Sequence, residues 1–153
     1  MRLKVIIILA VLMFSTLSAK AEEKKEISFH AGFFTYHFDS ERANNHNRLL
    51  AFSYDGWTIA EFENSYYKET VFLGYEFITK KYALNNSRWF ARGGVYCGAV
   101  YGYGEKLPLH WEGVSPFLLP VGEIGYRQVS LEIGVIPLPG SAGLVTGMLK
   151  FSF

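Results

Sequence analysis

Residues 144–153 read LVTGMLKFSF, and their alternation decides how the chain folds. Val145, Gly147, Leu149, Phe151 and Phe153 fall on one side of an extended strand; Thr146, Met148, Lys150 and Ser152 fall on the other. One side suits hydrocarbon. The other, with its lysine, suits a polar interior. This is the pattern of the closing strand of a transmembrane β-barrel. In a soluble protein the apolar side would need a second covering layer.

The rhythm recurs upstream. Residues 27–38 place Ile27, Phe29, Ala31 and Phe33 opposite Ser28, His30, Gly32 and Phe34. The polar run 39–47 then reads as a loop. Strand 48–54 leads into Asp55-Gly56, a tight hairpin turn because Gly accepts the positive φ required there. Strand 57–65 puts Ala60 and Phe62 on one face and Glu61, Glu63 and Ser65 on the other. After residues 66–69, Val71, Leu73, Tyr75 and Phe77 alternate with Phe72, Gly74 and Glu76. Residues 79–88 read as a turn, 89–103 as a glycine-rich strand and 104–115 as a loop. Strand 117–126 follows, although Pro120 is unusual inside a strand. After Arg127-Gln128, Val129, Leu131, Ile133 and Val135 alternate with Ser130, Glu132 and Gly134, and 137–143 is the last loop. The fold class is an all-β, antiparallel transmembrane β-barrel of about eight strands. The even count predicts both termini on the periplasmic side and external loops after strands one, three, five and seven.

Composition agrees. Half of the residues are hydrophobic and 17% are aromatic. Beyond the N-terminus these residues are spread over alternate positions rather than gathered into a spanning helix. Arg2 and Lys4 precede an apolar run at 5–14, and Ser18-Ala19-Lys20-Ala21 supplies small residues for cleavage. That run is about half the roughly twenty residues a spanning helix needs. The expected organisation is a signal peptide at 1–21 and an outer-membrane barrel at 22–153. A net charge of +1 with scattered basic residues gives no nucleic-acid signal. Cys97 is the single cysteine and reads as a buried or lipid-facing apolar residue. Glu61, Glu63, Glu76, Glu123 and Glu132, with Arg92 and Lys150, are expected on the inner face, where charges can be paired or hydrated. No metal-ligand cluster or nucleotide loop is visible, so neither a metal nor another cofactor is expected.

Leu118-Leu119-Pro120, Gly125-Tyr126, Val129, Ile136-Pro137, Met148, Phe151 and Phe153 resemble the corresponding run of the PagP family of outer-membrane lipid A palmitoyltransferases. Phe62-Glu63-Asn64-Ser65-Tyr66, followed by Leu73-Gly74-Tyr75, is similar to that family's segment around its catalytic Asp-Ser pair. The resemblance implies a monomeric barrel inserted by the barrel-assembly machinery. Its partners would be outer-membrane lipids, lipopolysaccharide and phospholipid, and its activity the transfer or hydrolysis of an acyl chain of outer-leaflet lipid. It also implies site residues. Ser65 matches the family's serine, Asn64 stands where the aspartate would be, and a histidine completes the set. His37 is favoured because Tyr36-His37 closes the first strand before the polar loop; His30, deeper, is the alternative. Glu76 stands where the family has a small residue that admits the acyl chain, so a short pocket, or none, is expected there. The other reading is a non-catalytic barrel whose external loops bind a partner or alter surface properties.

Overall fold

In the computed structural model the described residues are 25–38, 43–84, 88–107, 109–136 and 143–153. The proposed signal peptide lies outside them, as does most of the loop at 137–143. Eight strands form one ring: β1 (Ile27–His37), β2 (Leu50–Tyr54), β3 (Trp57–Glu63), β4 (Glu69–Ile78), β5 (Trp89–Tyr101), β6 (Val114–Tyr126), β7 (Val129–Ile136) and β8 (Leu144–Ser152). Each strand pairs antiparallel with the next, and β1 pairs with β8 to close the ring. Among the described residues there is no α-helix, only a 3-10 turn at Gly104–Lys106. The segment at 79–88 is more than a turn. Tyr82 and Ala83 pair with Ala91 and Phe90, so the β4–β5 hairpin resumes after a break. At that break Thr79 N donates to Gly93 O and Gly93 N to Thr79 Oγ1.

The closing strand has the predicted phase. Met148, Lys150 and Ser152 are buried, whereas Leu149, Phe151 and Phe153 are exposed on the outer wall. Cys97 is also on the outer wall. That wall is largely apolar, and it carries aromatic residues at both ends. Tyr54, Trp57, Trp89, Tyr126 and Phe153 lie toward the short turns; Tyr36, Phe38, Tyr67, Tyr101 and Trp111 lie toward the loops. Pro116 and Pro120 both sit within β6. The ladder between β6 and β7 begins only at Val121↔Gly134, so both prolines occupy a stretch laddered on the β5 side alone, where a missing N–H is tolerated.

Two phases differ from expectation, each for a physical reason. Asp55 (φ 52°) and Gly56 (φ 82°) make a two-residue turn with both φ positive. Such a turn pairs Tyr54 directly with Trp57, so the two share a face. Tyr54 points outward; therefore Trp57, Ile59 and Glu61 do too, while Thr58, Ala60 and Phe62 are buried. Glu61 and Glu63 thus leave the predicted inner face. Glu61 sits two ladder pairs before the Glu63↔Glu69 rung next to the loop. The second difference is in β1. Gly32 pairs with Met148 but Phe34 with Gly147, so residue 33 is an extra residue in a bulge. Beyond it the faces exchange: Phe34 is outside and Thr35 inside.

The interior has two zones. Toward the turns it is ionic. Lys150 donates to Glu76 at 2.5 Å and to Glu132 at 3.3 Å, and Arg92 donates to Glu123 at 2.5 Å. Tyr96 O–H donates to Glu132 at 2.9 Å. Glu26, just before β1, accepts from Arg92 at 2.9 Å and from Ser152 Oγ at 3.1 Å. Toward the loops the interior is apolar, built from Ala60, Phe62, Phe72, Val100, Leu119 and Met148.

Removing one partner of a buried ion pair strands the other. Lys150→Met is expected to destabilise the barrel by about 3–5 kcal/mol, because two carboxylates lose their cation; guanidinium unfolding in detergent micelles measures it. Burial alone would raise the Glu26 pKa, but Arg92, helped by Lys81, overcomes this and holds it at about 2 against an ordinary 4.5. A depressed carboxyl pKa stabilises the fold above the unfolded value and loses that contribution as pH falls through the folded one. Thermal unfolding should therefore show wild type above Glu26→Gln at pH 7, with the gap closing between pH 4.5 and about 2.

Candidate functional site

His37 ends β1 and Ser65 lies two residues beyond β3. Uninterrupted alternation from Ile27 would put His37 on the outer wall with Phe29. The bulge at residue 33 reverses the phase, and His37 turns toward the interior rim. There its Nε2 lies 2.7 Å from Ser65 Oγ. Its Nδ1 lies 3.1 Å from Asn45 Oδ1. With Asn45 presenting its carbonyl oxygen, which only accepts, Nδ1 is the donor of that contact and Nε2 keeps its lone pair for the Ser65 hydroxyl. A serine hydroxyl facing a histidine whose far nitrogen is oriented by a third group is the arrangement of an activated nucleophile.

Asn45 is held by backbone pairing. Thr35 N donates to Asn45 O at 3.0 Å, Asn44 N to Ser65 O at 3.0 Å and Glu63 N to Asn47 O at 2.7 Å. Residues 44–47 therefore form a ribbon between β1 and the arm that carries Ser65. Asn45 was not among the residues singled out from sequence. Its only trace there is an asparagine-rich run about eight residues after His37.

Asn64 serves elsewhere. It is fully buried and makes no hydrogen bond to the His37 ring or the Ser65 hydroxyl. Its Oδ1 accepts from Tyr66 N (2.8 Å) and Lys68 N (3.2 Å); its Nδ2 donates to Thr70 Oγ1 (2.9 Å) and Gly102 O (3.3 Å). An aspartate could not make the last contact, because it has no donor when ionised. Asn64 thus fixes the turn that presents Ser65. His30 is buried about midway down the interior, with Nε2 near Ser28 and Ser53 hydroxyls and Nδ1 near Glu132 and Tyr96. It does not reach Ser65.

Between these two histidines lies an apolar cavity of about 70 Å³. Its mouth includes Ser65, Asn47 and Tyr103; its walls include Phe62, Phe72 and Met148; its floor is His30 and Tyr96. Burial, with the neighbouring Tyr66, pushes the Tyr103 phenol up to about 12, so it stays protonated at the rim. The volume is about half that of an engineered 150 Å³ cavity that binds benzene. Glu76 is not part of the lining. It sits below the floor, paired with Lys150, and so does not place a carboxylate in the cavity. Glu76, Glu123 and Glu132 bring carboxylate oxygens within 4.8 Å of one another, but Lys150 and Arg92 already sit among them.

Compared with family models and with curated protein sequences, the chain matches none. The fold and site define a small, closed, eight-stranded antiparallel barrel with a Ser–His–Asn constellation at one rim.

Asn64→Ala is expected to free two amides and orphan a carbonyl, at a cost of roughly 2 kcal/mol to the local turn. Hydrogen–deuterium exchange should show the Tyr66 and Lys68 amides opening at least about tenfold more often, since 1.4 kcal/mol is a factor of ten. Asn64→Asp, which keeps both acceptor bonds, should show a smaller effect.

Proposed function

We propose that this protein is an outer-membrane acyl-ester enzyme that hydrolyses or transfers an acyl chain of outer-leaflet lipid, with Ser65 as nucleophile, His37 as base and Asn45 orienting the ring. The observation that carries the reading is the 2.7 Å Ser65–His37 contact at the mouth of an apolar cavity. An apolar outer wall with aromatic ends supports a membrane setting. The short turns and both strand termini at one end, and the site at the other, support periplasmic termini and an external site. The resemblance of the Ser65 segment and of β6–β8 to the PagP family supports lipid as the substrate class. The mature barrel is proposed to act as a monomer after insertion by the barrel-assembly machinery.

The chemistry follows from the three side chains. Ser65 Oγ attacks the ester carbonyl carbon while its proton passes to His37 Nε2. The carbonyl oxygen takes up the displaced electron pair. Collapse of that adduct expels the alcohol oxygen, which receives the proton from Nε2, and leaves the acyl group on Ser65. Water or a hydroxyl of a second lipid then attacks the acyl-serine by the same route in reverse. Asn45 is neutral, so it orients the ring and keeps Nδ1 protonated without supplying the charge an aspartate would give the imidazolium; papain-like sites use an asparagine in this place. The cavity accepts a short stretch of acyl chain, and its floor of His30 and Tyr96 sets the depth.

Mass spectrometry of lipid A and phospholipids from cells with and without the protein tests this reading. An acyl-chain mass change should appear with wild type and disappear with Ser65→Ala and with His37→Ala. Turnover should fall by about a thousandfold or more for either variant, as when a member of a hydrolase triad is removed. Unchanged lipids in cells that contain heat-modifiable, folded wild-type barrel would reject it and favour the non-catalytic, partner-binding reading.

A further inference from the structure

The described triad has a nucleophile, a base and an orienting group, but nothing yet faces the oxygen on which charge gathers when Ser65 attacks. A donor for that oxygen must lie beside Ser65, open to the cavity and unengaged with the protein. Asn47 meets these conditions. It lines the cavity mouth together with Ser65. Its side-chain Oδ1 is buried and has no hydrogen-bond partner, one of two such side-chain atoms among the described residues. The other, Ser115 Oγ, does not line this cavity.

A buried amide oxygen without a partner is costly, and native proteins rarely keep one without a use. Asn47 is also held in place. Its carbonyl accepts from Glu63 N at 2.7 Å, on the arm that carries Ser65. The next residue, Arg48, adopts φ 43°, which turns the chain sharply away into β2. An amide can turn about its Cβ–Cγ bond, so the side chain that lines the cavity beside Ser65 can offer its two N–H donors to an oxyanion.

The geometry points to Asn47 as the oxyanion-stabilising residue of the site, its amide NH2 donating to the carbonyl oxygen of an acyl ester under attack by Ser65. This assignment rests on the acyl-ester reading above. The ribbon at 44–47 then has a divided role: Asn45 faces the base and Asn47 faces the developing charge, two residues apart on one extended segment. A donor used only in the transition state is needed for kcat and not for binding.

Purified wild type, Asn47→Ala and Asn47→Asp, refolded in detergent micelles, would be assayed with p-nitrophenyl hexanoate. Ser65 labelling by a fluorophosphonate would be followed by mass spectrometry. Asn47→Ala should lower kcat about a hundredfold or more, as when an oxyanion donor is removed, with KM changed less than about threefold. Asn47→Asp keeps the shape, removes the donors and adds negative charge, so it should be at least as slow. The melting temperature of Asn47→Ala should be equal to or above that of wild type, since an unpaired buried group is deleted. A merely structural asparagine would lower it instead. Labelled, active wild type with an undiminished kcat in folded Asn47→Ala or Asn47→Asp overturns the assignment alone. Wild type that neither turns over the ester nor labels at Ser65 overturns the acyl-ester reading and the assignment with it.

Discussion

Closure of β1 against β8 is the constraint on which the other features depend. A sheet closed on itself leaves no edge strand with a row of unpaired N–H and C=O groups. The register of the closing ladder is fixed by what it buries. His30 lies opposite Lys150, and Ser28 opposite Ser152. A slip of one residue would send Lys150 to the outer wall and Leu149 inward. Inside, Lys150 meets Glu76 from β4 and Glu132 from β7, so one ammonium ties strands on opposite sides of the ring. The ion pairs thus specify register as much as they contribute stability, in keeping with the modest net worth of buried pairs.

The same closure divides the interior. The ionic zone fills the turn end with Arg92, Lys150 and their carboxylates, and the apolar zone at the loop end leaves a cavity. His30 and Tyr96 mark the boundary, bonded downward into the ionic zone and facing upward into the cavity. An eight-stranded barrel has an interior just wide enough for side chains. A filled lower half with a hollow upper half suits a site entered from one end more than a channel. The serine and histidine lie at that end because the strands carrying them, β1 and β3, both run toward the loops.

Much of this was legible in the alternation. The eight strands, the Asp55-Gly56 and Arg127-Gln128 turns, and the inward placement of Glu76, Glu123, Glu132, Arg92 and Lys150 follow from period two and turn chemistry. Glu61 was misplaced because strand 57–65 carries apolar residues on both faces, Trp57 and Ile59 on one and Ala60 and Phe62 on the other. Pattern alone then cannot choose the phase; the two-residue turn, which ties Trp57 to Tyr54, does. The bulge at residue 33 was invisible because Phe33-Phe34 reads the same in either phase. Asn44, Asn45, Asn47 and Asn64 look alike in sequence. They differ only in which partners the folded chain brings to each: Glu63 for Asn44, His37 for Asn45, the cavity for Asn47 and the Tyr66–Lys68 turn for Asn64.

By itself the sequence determined a closed antiparallel barrel with a charged interior, because side-chain direction in a strand is a local property that repeats every two residues. Tertiary structure alone decided the site. One extra residue in β1 reversed the direction of His37, and a ribbon of loop laid between two strands brought Asn45 to its ring. Both depend on register between segments distant in the chain, and register is set by pairing across the ring rather than by any local pattern.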